Sequence, residues 1–140
     1  MNRKTFFLGL LIAVSALFTG CATTPAPREK VVFQVSDSDP GKWALALSNA
    51  KNVQDSFGAD KVDVEIVVYG PGIGMLKANA PISDRVGTAV KSGVQIVACE
   101  NTMVAQKLTR ADMNPAISYV PAGVVELMKR QREGWAYIRP

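Results

Sequence analysis

The chain has 140 residues, 48% apolar and 20% charged, a composition that excludes an intrinsically disordered protein and a multi-pass membrane protein. Its formal charge is +4, but Arg3 and Lys4 belong to the leader described next. The remaining 14 basic and 12 acidic residues leave +2, too little to argue for a nucleic-acid partner.

Residues 1–20 have the three-part pattern of a secretion signal. Arg3 and Lys4 form a basic start, Phe6 to Phe18 an apolar run of 13 residues, and Thr19-Gly20 a small-residue site before Cys21. Thirteen residues are too few for a spanning helix, which needs about 20. Phe18-Thr19-Gly20-Cys21 resembles the lipobox of bacterial lipoproteins, with Phe18 where leucine is usual. The resemblance implies cleavage before Cys21 and lipidation of its sulfur. It also implies a membrane partner through that anchor and a periplasmic location, at the outer membrane rather than the inner because Ala22 carries no retention signal. Ordinary cleavage after Ala22, with no lipid, is the alternative. Residues 21–30 read as a polar, proline-bearing tether, and residues 31–140 as the folded domain.

Within the domain, apolar runs alternate with helical periodicity. Val31 to Val35, Val62 to Tyr69, Val94 to Ala98, Ile117 to Val120 and Trp135 to Ile138 are rich in β-branched or aromatic residues and predict five strands. Trp43, Ala46, Leu47, Ala50, Val53 and Phe57 follow the spacing of one helix face, as do Ile82, Val86, Ala89 and Val90. Asn101 to Leu108 and Pro121 to Arg132 predict two more helices. Asp39-Pro40 is a helix start, and Gly58, Gly93 and Gly134 mark stops. Such alternation predicts a three-layer α/β/α domain on a mainly parallel sheet of about five strands. Ligand-binding loops then gather at the carboxyl ends of the strands.

Three of those loops bear on chemistry. Ser36-Asp37-Ser38-Asp39 offers two carboxylates to a cation, or simply caps a helix through Asp39, which is the preferred reading. Gly70-Pro71-Gly72-Ile73-Gly74 fits neither the dinucleotide fingerprint nor the P-loop, and reads as a tight turn with close backbone approach to a ligand as the alternative. Arg85 and the run Lys129-Arg130-Gln131-Arg132 are read as solvated helix faces.

The third loop holds Cys99. With Cys21 committed to lipid, Cys99 is the one thiol left, and it stands between a strand's end and a helix's start, where backbone N–H groups and the helix dipole favour thiolate. Packing as a small apolar residue is the competing reading. The chain has no histidine, which removes Ser-His-Asp and Cys-His catalysis and every histidine-ligated metal site. One thiol cannot build a metal cage. General acid-base work would fall to Asp37, Asp39 or Glu100, read here as surface or capping groups. No cofactor or metal is expected.

Ile96-Val97-Ala98-Cys99-Glu100-Asn101-Thr102-Met103, Val68-Tyr69-Gly70-Pro71-Gly72, and Val120 to Glu126 continuing through Gly134 to Ile138 together resemble the DsrE/DsrF-like family. The resemblance spans about Val31 to Pro140. It implies a compact α/β domain that often forms homo-oligomers, and a persulfide-carrying cysteine after the third strand, the position of Cys99. The family's characterised sulfur relays are intracellular, whereas this chain has an export pattern, so its sulfur donor and acceptor proteins stay unnamed.

Two functions follow from this reading. One is a thiol-dependent sulfur carrier or sulfurtransferase-like protein of the cell envelope using a reactive, partly exposed Cys99. The other is a non-enzymatic lipoprotein domain that binds a small ligand or partner at the same edge, with Cys99 packed.

Overall fold

A computed structural model describes residues 27–140. The signal pattern, Cys21 and most of the tether lie outside the described residues. Among the described residues no helix is long and apolar enough to cross a membrane.

Five strands form one sheet: β1 (Glu29–Val35), β2 (Val62–Val68), β3 (Gln95–Cys99), β4 (Ser118–Val120) and β5 (Ala136–Ile138). Their order is β4-β3-β2-β1-β5, and every pairing is parallel. The four helices are α1 (Pro40–Phe57), α2 (Ser83–Lys91), α3 (Glu100–Ala105) and α4 (Gly123–Arg132). The three-layer α/β/α expectation holds, and the sheet is wholly rather than mainly parallel. From β1 to β4 each step across the sheet goes the same way, so right-handed crossovers place α1, α2 and α3 on one face. The step from β4 to β5 goes back across the sheet and places α4 on the other.

The first face is a thick apolar core. Val31, Phe33 and Val35 alternate inward from β1, as do Val64, Ile66 and Val68 from β2. They meet Trp43, Ala46, Leu47 and Ala50 of α1 and Val86 of α2. α1 starts as the sequence reads, because the Asp39 carboxylate accepts the Gly41 N–H at 2.7 Å and Pro40 needs no N–H partner there. On the second face Val32, Val67 and Val97 meet Leu127 of α4, with Tyr69, Val120 and Trp135 packed around them.

Two elements differ from the sequence reading. Gly70–Leu76 is a 3-10 segment rather than a bare turn, buried through Ile73, Met75 and Leu76. Its Gly72 passes so close to β1 that a Cβ there would stand 2.6 Å from the Val35 carbonyl oxygen, so only glycine fits. α3 stops at Ala105 instead of reaching Leu108, because Lys107 takes a left-handed φ of 55° and the Leu108 N–H closes back on the Met103 carbonyl at 2.8 Å.

Candidate active site at the end of the third strand

The chain leaves β3 toward the first face and β4 toward the second, so their carboxyl ends flank the crevice where ligands bind in open parallel sheets. Cys99 is the last residue of β3 and pairs with Val120, the last of β4. Its side chain follows Val97 onto the second face, beneath the start of α4. Cys99 also forms the N-cap of α3, with an extended backbone of φ −76° and ψ 113°.

The Thr102 hydroxyl and the N–H groups of Gly123, Thr102 and Asn101 lie near the sulfur and favour its thiolate form. Thr102 is held in turn by the Gly70 N–H, which donates to its Oγ1 at 3.0 Å, leaving the hydroxyl proton free for sulfur. Gln106 Nε2 fixes the other side of Gly70 by donating to its carbonyl at 3.2 Å. The hydrogen bond that Sγ itself makes is as a donor, to the Pro121 carbonyl at 4.0 Å, which also takes the Asn101 N–H at 3.1 Å. Burial pushes the Cys99 thiol up, but the Thr102 hydroxyl and the three N–H groups outweigh it and bring the pKa below the ordinary thiol value.

Cys99 itself is buried, 5% exposed. The expectation of a partly exposed thiol is therefore corrected: Pro121–Gly123 and the first turn of α3 close over the sulfur. The polar groups near the sulfur nevertheless set it apart from a cysteine packed in a purely apolar core.

Gly123 is where α4 comes closest to the second strand's exit. A Cβ there would lie 3.0 Å from the Tyr69 side chain, so glycine lets the helix start settle over the strand ends. Gly70, Thr102 and Gly123 all belong to stretches that the sequence marks out, but only the fold shows that they converge.

Other residues singled out by sequence do other work. Asp39 caps α1, and Asp37 faces Lys42 at 3.2 Å and Arg139 at 3.5 Å. The Lys42 hydrogen bond leads in holding the Asp37 carboxyl below its usual range. The two carboxylates are thus satisfied by protein groups. Among the described residues no three acidic, cysteine or histidine side chains gather as a metal site. Asp37 shares the carboxyl edge with Cys99, but β2 lies between their strands, which puts the strands about 10 Å apart. Glu100 pairs with Arg110 at 2.8 Å, and Arg110 lies over the Tyr119 ring at 4.4 Å. Arg85 donates to Ser48 Oγ at 3.3 Å, on the wall of a groove of about 670 Å³ between α1 and α2.

The basic run on α4 needs a correction. Lys129, Gln131 and Arg132 are exposed, but Arg130 turns inward onto Glu65 of β2, which is fully buried. The guanidinium forks the carboxylate, Nε at 2.5 Å and Nη2 at 3.3 Å, and also meets Glu126 at 2.9 Å and Glu133 at 3.2 Å. It stacks over Trp135 at 4.7 Å. Burial pushes the Glu65 carboxyl up and Arg130 only partly offsets it, while the Glu65 hydrogen bond keeps Arg130 firmly charged. In the sequence Glu65 is one of two charged residues, with Asp63, in the otherwise apolar run Val62 to Tyr69, and alternation alone does not show which of them is buried.

Fold and site together define an all-parallel α/β domain with a buried cysteine at a strand-to-helix junction. The chain belongs to the DsrE/DsrF-like family, whose model matches residues 29–140, and that family is associated with sulfur relay. A protein of unknown function from Methanobacterium thermoautotrophicum is 33% identical, with a TM-score of 0.76 over 80% of this chain and 99% of its own. A conserved protein of unknown function from Bacteroides thetaiotaomicron shares the fold at 12% identity, with a TM-score of 0.62 over 80% of this chain and 95% of its own. No curated protein matches the chain.

Proposed function

We propose that this protein is a thiol-dependent sulfur carrier or sulfurtransferase-like protein of the cell envelope, with Cys99 as the sulfur-bearing residue. The observation that carries the reading is the place of Cys99 at the end of the third strand and the start of a helix, beside polar groups that favour thiolate, in a chain of a family associated with sulfur relay. In the loading step the Cys99 thiolate attacks the outer sulfur of a donor persulfide R–S–SH. A new S–S bond forms at Cys99, the donor's S–S bond breaks, and its electron pair leaves with R–S⁻. In the unloading step an acceptor nucleophile takes the outer sulfur and Cys99 departs as thiolate, the species the Thr102 hydroxyl and the N–H groups stabilise. The balance needs no oxidant or reductant. The closed position of the sulfur favours small sulfane-sulfur donors.

The test is mass spectrometry of the Cys21→Ser chain after exposure to inorganic polysulfide. A gain of one sulfur on Cys99, lost on adding a thiol acceptor and absent in Cys99→Ser, is the expected result. A native protein that takes up no sulfur, or takes it up only when denatured, would show Cys99 to be packing and leave the ligand-binding reading in its place.

The envelope location rests on the lipobox at Cys21. Fatty-acid labelling that vanishes in Cys21→Ala is expected, and equal labelling of both would rule out this acceptor. An anchor there joins the domain at the amino end of β1, whereas Cys99 lies at the opposite edge, about 20 Å away along the strands. The reactive edge would then face away from the lipid. Homo-oligomers are part of the proposal, supported by the family and by exposed Val124, Val125 and Met128 on α4. Light scattering that shows a monomer at high concentration would remove them.

A further inference from the structure

We propose that the buried Glu65–Arg130 pair is a positioning device for Cys99: it fixes the register of α4 on the sheet so that the Pro121–Gly123 turn closes on the sulfur. The proposal rests on the thiolate reading above and concerns two residues that take no part in sulfur transfer themselves.

Apart from that pair, α4 rests on the close approach of Gly123 to Tyr69 and on one buried apolar side chain. Its contribution to the second core is Leu127 against Val32, Val67 and Val97, and such apolar contacts tolerate sliding or rotation of a helix. Gly123 contributes no side chain. By contrast the guanidinium of Arg130 and the carboxylate of Glu65 meet in a forked geometry that one placement satisfies. The lengths agree. Seven residues separate Arg130 from Gly123, about 10 Å along a helix at 1.5 Å per residue. Glu65 aligns with Gln95, and from Gln95 to Cys99 four residues of strand cover about 13 Å. A helix gripped at Glu65 therefore delivers its first turn to the sulfur.

The grip is itself braced. Glu126 and Glu133 flank Arg130 from the same helix, Trp135 stacks on it from the chain after α4, and Lys129 lies against Glu126 at 3.9 Å. A buried charge pair of this kind adds little net stability over an apolar pair of similar volume. Register is the role in which such pairs are best attested.

The experiment uses the full chain carrying Cys21→Ser, so that Cys99 is the sole thiol, and follows alkylation by iodoacetamide against pH. The wild-type midpoint is expected below the free-thiol value of about 8.5. Glu65→Leu with Arg130→Met keeps the volume and removes the fork. It is expected to unfold cooperatively but with its midpoint raised, so that the thiolate fraction at neutral pH falls about threefold or more. Glu65→Gln retains a partner for the guanidinium and is expected to stay close to wild type. Arg130→Lys, which keeps the charge without the fork, is expected between the two and serves if the double variant does not fold. Val86→Ala, in the opposite layer, is expected to lower the melting temperature without moving the midpoint.

A folded double variant with the wild-type midpoint would overturn the proposal, as would an equal shift in Val86→Ala. If instead the wild type itself titrates like a free thiol, it is the thiolate reading that falls.

Discussion

The two faces of the sheet are built on different terms. On the first, 22 buried residues from the strands, α1, α2, α3 and the segments between them form one core. On the second, four buried apolar residues, one helix and a buried ion pair cover the strands. The difference separates two kinds of packing: the thick face holds most of the buried apolar core, and the thin face carries Cys99 and the Glu65–Arg130 pair.

The comparison can be broken by mutation. Phe33→Ala opens the thick core at a fully buried site and is expected to cost about 3–5 kcal/mol, read by denaturant unfolding, enough to unfold much of a marginal domain. Arg130→Ala leaves the Glu65 carboxyl buried without its main partner. About 3–4 kcal/mol is expected, softened because Glu65 then takes up a proton. Leu127→Ala removes the sole α4 side chain of the second core. It is expected to cost about 2–3 kcal/mol, the low end for leucine, because a single covering helix can settle into the space. If Leu127→Ala proved costlier than Phe33→Ala, the contrast between the faces would be wrong.

Smaller effects sharpen the picture. The pKa of Glu65 is raised on folding, so the stability it contributes is fully present below the unfolded value of about 4.3 and is lost as pH rises through the folded value. Glu65→Gln is therefore expected to flatten the pH dependence of unfolding just above the ordinary carboxylate range, with the two chains converging in acid. Trp135→Phe is expected to change stability by less than about 1 kcal/mol. Its indole N–H is buried without a partner, so removing it relieves one unsatisfied donor while the ring still stacks on Arg130.

Much of the fold was legible because its signals are local. The β-branched runs, the Asp39-Pro40 start and the glycine stops gave five strands and four helices within a few residues of their observed ends. Cys99 was legible for the same reason, as a lone thiol at a strand-to-helix junction. What was not legible is long-range. Gly70 supports Thr102 across 32 residues, Cys99 meets the Pro121 carbonyl across 22, and Arg130 reaches Glu65 across 65. No spacing rule brings such residues together. The burial of Cys99 follows from that convergence, and it was the point at which a reading from local sequence went astray. Arg130 looked like any solvated helix charge because periodicity places a residue on a face but does not say what lies beneath it.

The central claim is that the folded protein holds Cys99 as a stabilised thiolate. The most direct measurement is the pH dependence of Cys99 alkylation in the native Cys21→Ser chain beside the same chain in denaturant. The account predicts a native midpoint below the denatured one, the difference narrowing when Thr102→Val removes the hydroxyl donor. A native midpoint at or above the denatured one would contradict it, and would mean that burial, not the polar groups near the sulfur, governs this thiol.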